Sequence, residues 1–381
     1  MSNLTDQPAI LFAVGDIIIN RERPEEMCEP TASFLKTADL RFFQCEAPMT
    51  DKGSVQLHGT GTRVDPRNLA GLTYAGFNIA SMSGNHALDW GAEGMFDAQQ
   101  RLQAAGMTTF GVGRDIQEAR KPAIITVKGR RVAFLGYCSV HPVGYEADDG
   151  KPGLAPLRAL TLYEPWDFQP GTPPRIRTFV NDRDVEAMRE DIRAARAEAD
   201  VVILSIHWGV HFVPVVIADY QRAAAHAAID AGADLILGHH AHLLKGIEVY
   251  KGKVIFYSLG NWAIDVPMNA WPTKPGFKRK FNEQVEFYKR RSNPEYPLYP
   301  LEMPHCRETI LVKAAIGNGG VQRVSFFPAV QNKRNQPILM DPGKPEGRQV
   351  ADYLAEVSQQ AELPVRFVVD GAEVVIDTNH T

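Results

Sequence analysis

Short apolar runs alternate with amphipathic helical patterns along the first two thirds of the chain. Apolar runs bounded by turn residues predict buried strands at residues 9–14, 41–45, 77–82, 201–206 and 234–237. Capping residues and stop glycines predict helices at residues 65–75, 94–105, 184–199 and 220–231. Strands that alternate with helices in this way predict a mixed α/β fold whose sheets are covered on both faces.

The remaining patterns predict hairpins, an irregular stretch and a β-rich end. Two hairpins are expected at residues 123–137 and 247–259, and residues 141–174, rich in Gly, Pro and acids, are expected to be irregular. Further β-rich runs follow Cys306, with a helix near residues 350–361. We interpret residues 1–381 as a single domain with an inserted basic and aromatic segment at 266–305. A β-rich extension at 306–381 is expected to pack on its core.

Composition excludes several classes of protein. The 381 residues are 44% hydrophobic and 23% charged, which is ordinary for a globular protein and excludes wholesale disorder. The 45 acids nearly balance the 41 bases, so we expect no nucleic-acid partner. The N-terminal residues lack a signal-peptide pattern, and no apolar run is long enough for a membrane anchor. The four scattered cysteines are expected to be reduced, and the protein to be cytoplasmic.

Potential metal ligands follow five of the strand-like runs. In open α/β sheets the functional crevice lies beyond the carboxyl ends of the strands, so these side chains should converge. Their carboxylates, amide and imidazoles suit Mn²⁺, Zn²⁺ or Fe²⁺, and two ions could share a bridging oxygen. His58 and His211 receive no assignment, and His226 is expected to be structural. The candidates are Asp16, Glu46, Asn85 with His86, His207, and the run His239, His240 and His242.

The same positions carry a resemblance to a known family. The segments AVGDIII, CEAPMT, SGNHALDWG, IHWGVHF and AGADLILGHHAHLLKGIEVYKGKVIFYSLGNW resemble the calcineurin-like metallophosphoesterases. They resemble more closely the CapA family of poly-γ-glutamate and capsule synthesis, over residues 9 to about 265. The resemblance implies a sandwich of two mixed β-sheets flanked by helices, with a site for two metal ions at its edge.

The resemblance also implies roles for individual residues. His86 matches the general-acid histidine, Glu46 matches the bridging position, and either His239 or His240 could match the first histidine of the G-H-x-H pattern. This chain has Asp16-Ile17-Ile18 where metallophosphoesterases have Asp-x-His, so one imidazole ligand is missing and phosphoester hydrolysis is a weaker expectation. The ligand set implied by the family is Asp16, Glu46, Asn85, His207, His240 and His242.

Three functions fit these residues. The first is metal-dependent hydrolysis of a peptide, amide or ester, in which metal ions activate water and His86 donates a proton to the leaving group. The second is epimerisation at the α-carbon of a C-terminal residue, as in the lasso-peptide branch of CapA-like enzymes, with Asp16 and His305 as candidate proton-transfer groups. The third is a binding module without catalysis.

The substrate is expected to be a peptide or small carboxylate. The basic and aromatic stretch 271–291 is either a lid over the site or a solvated loop, and Lys278 and Arg279 within it are candidate substrate-binding residues. Tyr257 and Asn261 are candidate pocket residues because they lie close to the metal motif in sequence. The sequence does not indicate an oligomeric state.

Overall fold

The computed structural model describes residues 7–167, 171–266, 283, 286–287 and 291–379. Two short 3-10 helices, Pro24–Cys28 and Pro66–Asn68, accompany the regular elements. The helices are α1 (Ala32–Leu35), α2 (Leu69–Ala75), α3 (Gly91–Ala104), α4 (Ile116–Arg120), α5 (Asp182–Glu198), α6 (Asp219–Ala231) and α7 (Pro345–Gln360). The strands are β1 (Ala9–Ile18), β2 (Leu40–Cys45), β3 (Ile79–Ser81), β4 (Thr108–Phe110), β5 (Val112–Gly113), β6 (Ala123–Val127), β7 (Arg130–Cys138), β8 (Gly153–Leu154), β9 (Ala159–Glu164), β10 (Arg175–Val180), β11 (Val201–His207), β12 (Leu235–His239), β13 (Ile247–Tyr250), β14 (Lys253–Phe256), β15 (Asn261–Ile264), β16 (Arg291–Ser292), β17 (Leu301–Glu302), β18 (Glu308–Gly317), β19 (Gly320–Gln331), β20 (Pro337–Leu339), β21 (Phe367–Asp370) and β22 (Glu373–Ile376).

The first large sheet has the order β21-β22-β19-β18-β1-β2-β3-β4, with β15 beside β1 and β20 beside β19. Strands β1 to β4 pair in parallel, so their carboxyl ends share one edge. Strand β18 runs antiparallel to β1 and joins the C-terminal strands to this sheet. The sheet is therefore mixed, and its parallel half points toward a single edge.

The second large sheet has the order β13-β14-β12-β11-β7-β6. Strands β7, β11, β12 and β14 are parallel, whereas β6 and β13 are antiparallel hairpin partners. The sheet therefore repeats the arrangement of the first, with the carboxyl ends of its central strands at one edge.

Apolar side chains fill three layers around these sheets. The inner layer lies between the sheets and includes Phe42 from β2, Phe134 from β7 and Val201 from β11. A second layer of side chains packs between the first sheet and helices α1, α2 and α3. A third layer packs between the second sheet and helices α5 and α6. The predicted sandwich of two mixed sheets flanked by helices is confirmed. No helix within the described residues has both the length and the apolar character that a membrane crossing requires.

The structure differs from the sequence pattern in two places. Residues 141–174 were expected to be irregular, but β9 lies within them and forms a separate two-stranded hairpin with β10. The predicted helix at 65–75 begins as the 3-10 turn Pro66–Asn68, capped by Asp65 accepting from Arg67 N, before α2. Much of the inserted segment 266–305, including Lys278 and Arg279, lies outside the described residues.

A close contact between β1 and the segment before β15 predicts a sensitive glycine. A methyl group on Gly15 would overlap the carbonyl oxygen of Gly260, which accepts a hydrogen bond from the backbone N–H of Asp16 at 3.1 Å. We therefore expect Gly15→Ala to lower the free energy of unfolding by about 1–3 kcal/mol, the usual cost of overpacking. Urea unfolding followed by circular dichroism measures this change.

The matched control is Gly343→Ala, whose added methyl would meet only a carboxylate oxygen of Asp341 at 3.1 Å. This variant should unfold within about 0.5 kcal/mol of the wild type. Equal unfolding midpoints for the two variants would show that the approach of Gly15 to Gly260 is not a constraint on the fold.

Candidate metal centre

The carboxyl ends of both sheets meet and bring the predicted polar residues together. Asp16 lies near the end of β1, Glu46 directly follows β2, and the loop after β3 carries Asn85. From the second sheet, β11 ends at His207. His242 follows β12 by a short turn. Residues that are far apart in sequence therefore meet because parallel strands end at a common edge.

Glu46 lies at the middle of this cluster. Its two carboxylate oxygens lie 3.5 Å from His207 Nε2 and 3.6 Å from His242 Nε2. His207 Nε2 is also 2.8 Å from Asn85 Oδ1. On the other side, His242 Nδ1 is 3.7 Å from Asp16 Oδ2. Glu46 therefore lies between His207 on one side and His242 on the other.

Three of these residues meet the distance requirement of a metal site. One ligand atom from each of Asp16, Glu46 and His207 lies within 4.8 Å of the others, and all three side chains are fully buried. Asp16 Oδ1, both Glu46 oxygens and His207 Nδ1 have no hydrogen-bond partner among the described residues. Buried charged oxygens without partners are costly, so this donor set fits a divalent cation.

Burial shifts the pKa values of the acids and the histidines in this cluster in opposite directions. Burial raises the pKa of Asp16 to about 8, although the backbone N–H of His240 donates to it at 3.1 Å. Burial and the neighbouring carboxylate of Asp16 raise the pKa of Glu46 well above its ordinary value. Burial and adjacent imidazoles lower the pKa of His207 and His240. A bound cation would favour both ionised carboxylates and neutral imidazoles, and it would thus relieve these opposed costs.

His239 and His240 lie on different sides of the end of β12. His239 is fully buried against Phe42, with Nδ1 3.6 Å from Asp16 Oδ1 and a pKa lowered by burial to about 3. The ring of His240 instead meets the ring of His207 at 5.0 Å between centroids. Each has a buried ring nitrogen without a hydrogen bond among the described residues, so both belong to the set that could bind a cation.

The turn after β12 holds its histidines in an uncommon backbone conformation. His240 and His242 have φ values of 87° and 55°, in the left-handed region that non-glycine residues rarely adopt. Asn261 Oδ1 accepts a hydrogen bond from His242 Nδ1 at 2.8 Å, and Asn261 is paired in register with Asp16. Asn261 therefore positions His242 in the cluster. Strain of this kind persists where surrounding contacts determine it, as at functional sites.

His86 stands beside the cluster with its imidazole oriented by Asp89. Asp89 Oδ2 lies 3.0 Å from His86 Nδ1, and His86 Nε2 faces Glu46 at 3.9 Å. Asp89 also accepts from Thr60 Oγ1 at 2.6 Å and from the Tyr145 hydroxyl at 2.8 Å. Burial opposes ionisation of Asp89, but His86 and the hydroxyls together lower its pKa. Sequence reasoning missed Asp89, although the spacing His86-x-x-Asp89 in a turn was a usable signal.

The loop 209–218 brings two further rings to the centre. His211 stacks on His240 at 5.0 Å between centroids, and Phe212 stacks on His242 at 5.2 Å. The buried Lys245 donates to the carbonyl oxygens of Val213 and Val216, and burial lowers its pKa to about 7. This lysine thus fixes the loop across the histidines. The sequence left His211 without a role because its position depends on this fold of the loop.

Two further predicted residues, Tyr257 and His305, lie away from the cluster. Tyr257 does not line the site as expected: it is fully buried on the helix-covered side of the second sheet and donates to Glu248 Oε2 at 2.7 Å. His305 stacks on Tyr353 at 3.8 Å between centroids, and its Nδ1 is 3.0 Å from Glu308 Oε2. It lines a neighbouring cavity, not the cluster. Lys278 and Arg279 fall outside the described residues.

Comparison with known proteins identifies relatives of this chain. The family described as "Bacterial capsule synthesis protein PGA_cap" matches residues 10–266. The chain is 34% identical over 192 residues to "PGA biosynthesis protein CapA" of Bacillus subtilis, covering 50% of this chain and 43% of that protein. It is 28% identical over 264 residues to "Capsule biosynthesis protein CapA" of Bacillus anthracis, covering 66% and 59%.

A third relative carries a different description. The chain is 30% identical over 203 residues to "Probable polyglutamine synthesis accessory protein MT0602" of Mycobacterium tuberculosis. This alignment covers 52% of the chain and 48% of that protein. The chain therefore spans about half the length of the curated relatives that it matches.

Proton release on metal binding tests the geometry of the cluster. With a pKa of about 8, Asp16 keeps its proton near neutral pH in the metal-free protein, and a cation must displace that proton. We expect addition of Mn²⁺ or Zn²⁺ to metal-free protein to release about one proton or more at neutral pH, and fewer as the pH rises above 8. Calorimetric titration in buffers of different ionisation enthalpy counts these protons.

The matched control is Asp16→Asn, which removes the titrating carboxyl but keeps its shape. This variant should bind more weakly and release fewer protons at neutral pH. If the wild type binds the metal ion without releasing protons, Asp16 either is not protonated in the metal-free protein or does not bind the cation, and the assignment is wrong.

Proposed function

The chain belongs to the PGA_cap family of bacterial capsule synthesis proteins, within the calcineurin-like metallophosphoesterase superfamily, and we propose that it is a metal-dependent hydrolase of a peptide or other amide substrate. The observation that carries this proposal is the pairing of His86 with Asp89 beside two buried carboxylates, three of whose four oxygens have no hydrogen-bond partner among the described residues. A proton-donating imidazole next to a cation site is the arrangement that cleavage of a stable bond needs.

The proposed cofactor is a pair of divalent ions, with Mn, Zn and Fe as candidates. Glu46 lies between the Asp16 side of the cluster and the His207 side, which suits a ligand shared by two ions. The residues proposed to hold them are Asp16, Glu46, Asn85, His207, His240 and His242, with His239 as an alternative to His240. When bound, the ions would supply an activated water and polarise the scissile carbonyl.

The chain's own residues supply the proton transfer. Asp89 holds the Nδ1 side of His86, so Nε2 is the nitrogen that faces Glu46 and the reacting region. From there His86 donates a proton to the leaving nitrogen as the bond breaks. Thr60 and Tyr145 fix Asp89 through hydrogen bonds, which keeps the imidazole in one orientation without movement of the backbone.

A cavity beside the centre provides room for the substrate. Its volume is about 890 Å³, within the range of small-molecule sites. Phe212 lines it and stacks on His242, so one aromatic ring separates the cavity from the metal cluster. The lining carries both signs of charge, with Arg291 and Arg307 beside Glu302, Glu308 and Glu346. A peptide, which offers both a carboxylate and an amine, is the substrate class that we propose for it.

Epimerisation is the second candidate, with His305 as one of its candidate proton-transfer groups. An epimerase needs two groups that remove and return a proton on opposite faces of one carbon. Asp16 is fully buried and contacts the cluster histidines, so it is poorly placed for this exchange. His305 is oriented by Glu308 at the wall of the neighbouring cavity, where it could exchange a proton with a substrate bound in that cavity. A binding module without catalysis would leave the His86–Asp89 pair unexplained.

Peptide turnover in D₂O distinguishes these functions. We expect metal-loaded protein, incubated with a mixture of short peptides, to yield two fragments from a cleaved peptide, as detected by mass spectrometry. Uptake of a deuteron at an α-carbon without cleavage would instead establish epimerisation and contradict the hydrolase. No change in any peptide, together with a biological effect that survives loss of the metal ligands, would support the binding module.

Replacement of His86 tests its role in the reaction. We expect His86→Gln to lower turnover by about 10²–10⁴-fold, the usual contribution of a general acid, while metal content stays at the wild-type level. Asp89→Asn should give a smaller loss and an altered pH profile, because the imidazole loses its orienting carboxylate.

The control for both variants is His226→Gln. His226 lies on α6, and its Nε2 is hydrogen-bonded to Glu248 Oε1 on β13 at 2.8 Å. Its hydrogen-bond partner is therefore outside the cluster. Turnover by His86→Gln equal to that of this control would remove His86 from the mechanism.

A further inference from the structure

Strand β15 contacts both the metal centre and the C-terminal part of the chain. Among the described residues its strand partner is β1, with Asn261 in register with Asp16. The side chain of the same Asn261 accepts a hydrogen bond from His242 Nδ1 at 2.8 Å, which leaves Nε2 of that histidine facing Glu46 at 3.6 Å. The backbone position of Asn261 therefore affects two of the proposed metal ligands, Asp16 and His242.

Buried side chains from the C-terminal part donate hydrogen bonds to backbone carbonyl oxygens in and beside β15. The donors, each at most 2% exposed, are Thr309, Gln331 and Asn335, hereafter the C-terminal clamp. Thr309 Oγ1 donates to the oxygen of Leu259 at 3.0 Å, and Asn335 Nδ2 donates to that of Ile264 at 2.8 Å. All three donors lie beyond residue 266, where the family match ends. Residues outside the matched region thus hold the segment that orients His242.

Gln331 bonds the middle of this segment. Its Nε2 donates to the carbonyl oxygen of Asn261 at 2.8 Å and to that of Trp262 at 3.3 Å. Its own backbone belongs to β19, which pairs there with β18 on one side and with β20 on the other. A strand flanked by two partners therefore presents the amide of Gln331 directly to the backbone of Asn261.

Removal of this amide would disturb the support of His242 without touching a metal ligand. Leaving a buried carbonyl oxygen without a donor is costly, so the backbone at Asn261 would shift toward another partner or toward water. The Asn261 side chain would move with its backbone, and His242 would lose the hydrogen bond that sets its ring orientation. Groups that orient a metal ligand in this way contribute to metal affinity although they do not touch the ion.

We propose that Gln331 is a positioning residue of the metal centre, which fixes the backbone of Asn261 so that the Asn261 side chain orients His242. The C-terminal extension is then part of the site, although the family match stops before it. This inference rests on the metal site of the proposed function and does not depend on hydrolysis.

Titration of metal-free protein with Co²⁺, followed by visible absorption, tests this role. We expect Gln331→Met, which has nearly the same length but no donor, to bind Co²⁺ about 10–100-fold more weakly than the wild type. The spectrum of bound Co²⁺ should also change, because the imidazole of His242 is no longer held in one orientation. The control is Ser325→Ala, which removes a buried hydrogen bond to Glu373 from the same strand and should leave both affinity and spectrum unchanged.

Equal affinity and equal spectra in Gln331→Met and the wild type would overturn the role of Gln331 while the metal site stands. A wild type that binds no Co²⁺ would instead overturn the metal site, and this role with it. If Gln331→Met does not fold, the same titration uses Gln331→Asn, which keeps the amide but shortens its reach.

Hydrogen exchange gives a second measurement that needs no metal. In the metal-free protein, backbone amides of residues 261–264 should exchange faster in the Gln331 variant than in the wild type, because the clamp has lost its central donor. The Ser325→Ala control should exchange at the wild-type rate in these residues. Equal exchange in the Gln331 variant and the wild type would contradict the clamp.

Discussion

The burial of two carboxylates at one point between two sheets is the constraint on which this structure depends. Asp16 and Glu46 are fully inaccessible, and three of their four oxygens have no hydrogen-bond partner among the described residues. The imidazoles of His207 and His239 are equally buried, and burial favours the neutral form of both kinds of group. A bound divalent cation would make ionised carboxylates favourable at this depth, which is why this part of the fold fits the proposed metal site.

The parallel direction of the central strands in both sheets brings these carboxylates and imidazoles together. Parallel strands in each sheet end at the same edge, which places a ligand from the first sheet beside a ligand from the second. The close approach of Gly15 to Gly260 and the left-handed backbone at His240 and His242 complete the site. Around it, Asp89 orients His86 and Lys245 fixes the loop of His211. Asp16, Glu46 and His207 are thus held at the ends of regular strands, whereas His86, His211 and Phe212 are held by loops.

The part of the candidate site that lies at strand ends could be predicted from the sequence, whereas the part held by loops could not. Candidate ligands at strand ends could be predicted because a buried apolar run followed by a polar residue is visible in sequence, and the convergence of parallel strands follows from the fold class. Tyr257 was misplaced because proximity in sequence does not determine which face a side chain takes. Phe256 points between the sheets and Tyr257 toward the helices. Asp89, His211 and the β9–β10 hairpin depend on loop conformations and tertiary packing that periodicity does not encode.

The central claim is that this cluster binds divalent metal, and elemental analysis of purified protein tests it most directly. The account predicts a stoichiometric amount of a divalent transition metal in the intact chain and near loss of it in the variant His207→Ala, His242→Ala. The control His226→Ala should retain the metal, because His226 bonds Glu248 and not the cluster. An intact chain without metal after growth and purification in metal-supplemented medium, or equal metal content in the intact chain and the double variant, would contradict the account.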